Sequence, residues 1–166
     1  AAAAEAAARA ADAARDAARA AVEAAAEQEK QASEARAASA RAAAFRAAQH
    51  ASLPPEPDPE PRDVNPAAAT RVWRARFALP DGATRTRRFR AGDPLAAAFA
   101  FVRALGGAGE REAFDLVTRF PRAVIREPSG EGAARETVGG CEAFVAAAES
   151  GGALFVERRD ATSSQK

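Results

Sequence analysis

The sequence predicts an α+β fold: a long alanine-rich helix, then a mixed sheet with a helix packed across it. Three observations carry this. Residues 1–49 are mostly alanine with scattered Glu, Asp, Arg, Lys and Gln, and alanine has the best helix propensity. Prolines at 54, 55, 57, 59 and 61 end that segment, because proline lacks the N–H a helix needs. Beyond them, short runs of period-two apolar alternation flank one stretch of i, i+3, i+4, i+7 spacing, the marks of half-buried strands and one amphipathic helix.

The first segment reads as a solvated helix. Glu5–Arg9 and Arg19–Glu23 stand four apart; Arg9–Asp12, Asp12–Arg15 and Asp16–Arg19 stand three apart. Each such pair adds about 0.2–0.5 kcal/mol. A helix of about 45 residues spans ~70 Å. Val22 and Phe45 are its only large apolar residues. A coiled-coil seam needs such residues repeatedly at a and d, so a single-helix or weakly self-associating spacer is favoured over a functional coiled coil. The proline run favours a stiff, extended linker; docking to a proline-binding module is the lesser reading. The expected organisation is a helical spacer at 1–52, a proline-rich linker at 53–69, a folded domain at 70–160 and a disordered tail at 161–166.

Within the domain, Trp73, Ala75, Phe77 and Leu79 alternate with Arg74, Arg76 and Ala78, a strand with one buried face. Pro80-Asp81-Gly82-Ala83 is a turn, with Asp-Gly suited to a hairpin. Thr84 to Arg90 return as a strand, with Phe89 inward and the arginines mostly outward. Asp93-Pro94 reads as a helix N-cap and first-turn proline. Leu95, Ala98, Phe99 and Val102 then share a helical face that Gly106-Gly107 terminates. A strand over 113–118 and a short one over 123–126 flank Thr118-Arg119-Phe120-Pro121-Arg122. Proline cannot donate to a sheet ladder, so the chain turns there and exposes Phe and Arg, common interface anchors. A helical turn around Cys141–Ala148 and a last strand through Leu154-Phe155-Val156-Glu157 complete the order β-β-α-β-β-α-β. That is the order of the ubiquitin-like β-grasp fold.

The bulk properties exclude more than they assign. The 24 basic and 23 acidic residues nearly cancel, so nothing pulls the whole chain to nucleic acid or membrane. The balance shifts along it: 8 basic and 11 acidic residues up to 66, 16 and 12 thereafter. The chain contains no Met and is expected to be a fragment lacking an upstream part. A single cysteine, Cys141, excludes an intramolecular disulfide and a cysteine-cluster metal site, which fits a reducing compartment. No run approaches ~18 strongly apolar residues.

Catalysis requires convergent acid, base or nucleophile groups. The one histidine, His50, lies at the spacer's end, and Cys141 has no sequence-adjacent histidine. Gly106-Gly107-Ala108-Gly109 follows a helix and lacks the Lys-Ser/Thr of a phosphate loop. No cofactor or metal is expected. Two rival readings are kept. Arg71, Arg74, Arg76, Arg85, Arg87, Arg88 and Arg90 could make a nucleic-acid-binding hairpin, although the aromatic residues it would stack bases on are needed in the core. The other is a structural or self-association module.

The domain resembles a UBX domain. The marks are Leu79-Pro80-Asp81-Gly82, Arg87-Arg88-Phe89, Asp93-Pro94-Leu95, Phe99-Ala100-Phe101-Val102, Phe114 through Arg122, and Leu154-Phe155-Val156-Glu157. The helix running into Leu53-Pro54-Pro55-Glu56-Pro57 is similar to the segment before the UBX domain of Fas-associated-factor-like proteins. The resemblance implies a non-enzymatic adaptor that docks on the N-terminal domain of valosin-containing protein, a hexameric AAA ATPase, in ubiquitin-dependent degradation. Ubiquitylated cargo would be bound by upstream domains, and nucleic acid is not an expected partner. It implies a cytoplasmic protein, with the nucleus or the cytosolic face of the endoplasmic reticulum as alternatives.

The family docks through the loop between its third and fourth strands, here Phe120-Pro121-Arg122 with Thr118 and Arg119 before it. The Phe-Pro bond is often cis, and both side chains enter an apolar cleft. The family usually also carries an Arg just before Leu-Pro-Asp-Gly, where this chain has Ala78. Arg76, two residues back on the same face, and Arg74 beyond it are the candidate substitutes. Thr137-Val138-Gly139-Gly140-Cys141 is a looser form of another family segment. No Gly-Gly follows the last strand, so conjugation to other proteins is not expected.

Overall fold

A computed structural model describes residues 2–58, 71–110, 112–130 and 132–159. The chain divides into two compact units, Ala1–Ala43 and Ala44–Lys166. Helix α1 covers Ala2–Ala51. Its solitary large residue in the first unit, Val22, is 69% exposed. The helix is thus held there by alanine propensity and charge spacing rather than by packing.

The second unit contains β1 (Val72–Ala78), β2 (Thr84–Arg90), α2 (Ala96–Ala104), β3 (Phe114–Arg119), β4 (Arg122–Arg126), α3 (Glu142–Glu149) and β5 (Ala153–Arg158). The strands form one sheet in the order β2-β1-β5-β3-β4. β1 and β5 run parallel, and the other neighbours are antiparallel. This is the α+β, ubiquitin-like β-grasp arrangement expected from the sequence. Of the expected linker and tail, residues 59–69 and 161–166 lie outside the described residues.

The alternation resolves into two sheet faces. Trp73, Ala75 and Phe77 of β1, Phe89 of β2, Phe114 and Leu116 of β3, Ile125 of β4, and Leu154 and Val156 of β5 face the core. Leu95, Ala98, Phe99 and Val102 cover them from α2. Phe144 of α3 joins the core, and Phe77 touches Phe89, Phe101 and Phe144 at centroid separations of 6.1, 5.3 and 6.5 Å. Such tilted and edge-on contacts add about 0.5–1.5 kcal/mol beyond area burial.

One local expectation is corrected. Asp93-Pro94 does not begin the helix. α2 starts at Ala96, Pro94 bridges Thr137, and the Asp93 carboxylate accepts the Arg90 N–H at 2.8 Å. That acceptor closes the end of β2 instead of capping α2. The β2 arginines point mostly outward, as expected, and Arg87 is the exception. Arg87 pairs with Ala75, shares its inward face and is 8% exposed.

The end of α2 conforms to expectation. Gly106 N–H donates to Arg103 O and Gly107 N–H to Val102 O, the Schellman pattern, with Gly106 at φ +79°. A Cβ on Gly107 would lie 2.8 Å from Val102 Cγ1 and 2.9 Å from Leu79 Cδ2, so only glycine fits there.

Candidate partner-docking site at the β3–β4 tip

Arg119 and Arg122 are the last paired residues of the β3–β4 hairpin, leaving Phe120 and Pro121 as its two-residue loop. The Phe120–Pro121 bond is cis, which makes 119–122 a type VI turn. Thr118 sets the turn from inside. Its hydroxyl accepts the Ala123 N–H at 2.9 Å and donates to the Pro121 carbonyl at 2.6 Å. Thr118 is buried, so among the expected site residues it positions the tip and does not present a contact surface.

Phe120 is 94% exposed. A core position for Phe120 would have continued the alternation of 114, 116 and 118, but the turn begins one residue too early for that. Pro121 and Arg122 are also exposed. The Arg119 guanidinium lies 4.0 Å from the centroid of the Phe155 ring, and Arg122 reaches Glu157 at 3.4 Å. The Arg122 pair is solvent-exposed and contributes at most about 1 kcal/mol, so Arg122 can turn to a partner at little cost.

Residues 68–130 match the family model of the UBX domain. The chain carries a UBX domain. A comparison with curated proteins gave no match. UBX domains are non-catalytic interaction modules, ubiquitin-like adaptors that in general bind the N-terminal domain of AAA ATPases of the valosin-containing-protein type. The tip lies within the matched residues; α3 and β5 lie beyond them and complete the UBX fold here.

The sheet register locates the first-strand arginines relative to the UBX tip. Ala78 pairs with Phe155, and Phe155 with Val117. Arg76 pairs with Ala153. Continuing the β3–β5 register by two residues puts Arg119 across from Ala153, in line with Arg76. Two strand spacings, about 10 Å, separate these backbones. Arg76 is therefore level with the tip end of β3, whereas Ala78 is one two-residue step further from it. Arg76 donates to the Gly151 carbonyl at 3.4 Å, and Arg74 and Arg76 are both exposed on the outer face.

A cleft of about 440 Å³ adjoins the tip, walled by Ala146, Ala147 and Ser150 of the α3 end and by Ala153 and Phe155 of β5. Its apolar walls come from the alanines together with the Phe155 ring. The reading from sequence missed this wall, although the spacing of Ala143, Ala146, Ala147 and Ser150 puts them on one helical face. Two arginines of the first hairpin are committed within the domain. Arg87 is buried, and Arg88 is engaged by Glu56 at 3.2 Å. Among the described residues no group of three or more metal-ligating side chains occurs.

Proposed function

We propose that this UBX domain docks on the N-terminal domain of a valosin-containing-protein-type AAA ATPase through Phe120, Pro121 and Arg122, as a non-enzymatic adaptor in ubiquitin-dependent protein degradation. Arg119, Arg76 and Arg74 flank the contact as cations. The observation that carries the reading is Phe120, an almost fully exposed aromatic at the apex of a stapled two-residue loop. An apolar ring held clear of its own core can be buried by a partner without first breaking contacts at home. A central aromatic anchor is worth about 2 kcal/mol or more on truncation.

The test is a titration of the N-terminal domain with wild type and Phe120→Ala. A loss of about 25-fold or more in affinity is expected. Equal affinity of two folded proteins would rule out docking through this tip.

A further inference from the structure

Residues Leu53 to Pro57 read as linker, yet they are seated on the domain. Leu53 packs against the core and Pro57 is buried. The Pro54 carbonyl accepts from Arg87 Nη2. The Glu56 carboxylate accepts both the backbone N–H and the Nε–H of Arg88, each at 3.2 Å. Arg88 belongs to β2, an edge of the sheet, where a backbone donor otherwise stands open to another strand. The carboxylate takes that strand's place.

The receiving groove lies between β2 and α2. Its floor is aromatic: the Arg87 guanidinium sits 5.7 Å from the Phe89 centroid and 5.4 Å from that of Phe101. Arg87 is more than nine-tenths buried, and its Nε is a further buried donor without a partner among the described residues. A guanidinium withdrawn from water on an edge strand is costly unless acceptors meet it. The bound segment is suited to supply them. Three of its five residues are proline, which has a carbonyl but no N–H to leave unsatisfied. Arginine donors on an aromatic floor thus face a prolyl carbonyl and a carboxylate.

We propose that the β2–α2 groove is a recognition site for a Leu-Pro-Pro-Glu-Pro segment and that Leu53–Pro57 is its ligand in cis. The working module then begins at Leu53, ahead of the residues that match the family. A proline-rich acidic peptide of the same kind from another molecule finds the site closed while the chain's own segment is seated, and open once it leaves. The site is distinct from the β3–β4 tip and does not depend on what the tip binds.

The experiment uses the full chain and a synthetic peptide with the sequence of Ser52–Asp58. In Leu53→Ser/Glu56→Ser, with folding checked by Trp73 emission, exchange of the Arg88 amide should accelerate at least tenfold. The peptide should bind this variant, slow that exchange again, and bind wild type at least tenfold more weakly. A peptide with lysine in place of its glutamate should bind neither. A folded variant that keeps the slow Arg88 exchange, or does not bind the peptide, overturns the proposal. If the double variant does not fold, Glu56→Lys alone should speed Arg88 exchange, whereas Glu56→Gln, whose side-chain oxygen still accepts the N–H, should speed it far less. Equal rates in those two proteins overturn it as well.

Discussion

Replacing Thr118 by Val tests whether one hydroxyl holds the docking tip. Valine keeps the shape and the methyl of the buried side chain and removes only its oxygen. Two hydrogen bonds are lost, from the Ala123 N–H at 2.9 Å and to the Pro121 carbonyl at 2.6 Å. A typical bond contributes about 0.5–1.5 kcal/mol net. The exposed Pro121 carbonyl can turn to water, whereas the half-buried Ala123 loses its acceptor, so a total of about 1–2 kcal/mol is expected. For a domain of this size that lowers the midpoint of thermal unfolding by roughly 4–12 °C. The chain's one tryptophan, Trp73, lies in β1 at the core. Its fluorescence therefore follows the domain and is blind to the N-terminal helix. The tip should loosen too, weakening affinity for the N-terminal domain of the ATPase while leaving Phe120 in place. If Thr118→Val unfolds within about 0.3 kcal/mol of wild type, the sheet alone sets the turn and the hydroxyl is incidental.

Three further substitutions probe the scaffold by the same fluorescence. Phe77→Ala removes the ring shared by Phe89, Phe101 and Phe144 and should cost about 3–5 kcal/mol, a large share of a small domain's stability. Gly107→Ala forces a Cβ to within 2.9 Å of both Val102 and Leu79 side chains and should cost about 1–3 kcal/mol by overpacking. Arg103 holds Glu127 with two bonds of 2.5 and 2.7 Å and lies 5.1 Å from the Phe114 ring. Arg103→Met should cost about 1–3 kcal/mol, since it strands a partly buried carboxylate just after β4; denaturant unfolding that leaves the midpoint unchanged would refute this.

Much of the architecture is legible in local pattern. The alternating Trp73, Ala75, Phe77 and Leu79, the i, i+3, i+4, i+7 set from Leu95 to Val102 and the Gly106-Gly107 stop each occupy the positions their spacing implies. The exposure of Phe120 is legible for the same reason, since a proline after it breaks the strand before the ring can turn inward. Arg87 is the instructive exception. Period two counted from Phe89 puts both Arg87 and Arg85 inward, but charge argues for solvent, and only Arg87 is buried. What decides the matter is a segment more than 30 residues earlier in the chain, whose Pro54 carbonyl accepts a hydrogen bond from Arg87 Nη2. The same distance hides the role of residues 53–57, which carry every local mark of a linker. Asp93 misleads in a different way: its carboxylate can serve either neighbouring element, and it closes β2.

By itself, then, the sequence determined the order of the elements, which face of each is apolar, where the chain must turn and that an aromatic and an arginine stand at one turn. Those properties depend on residues a few positions apart, and backbone geometry converts their spacing directly into faces and ends. Only the tertiary structure decided that Arg76 is level with the tip, that Thr118 works from within the turn, that small residues of α3 wall a cleft beside it, and that a proline-rich segment occupies the β2 edge. Apart from Thr118, whose partners lie three and five residues on, each of these depends on which distant element lies alongside, β1 beside β5 above all. That pairing is chosen by burial of the whole core at once, and no local spacing records it.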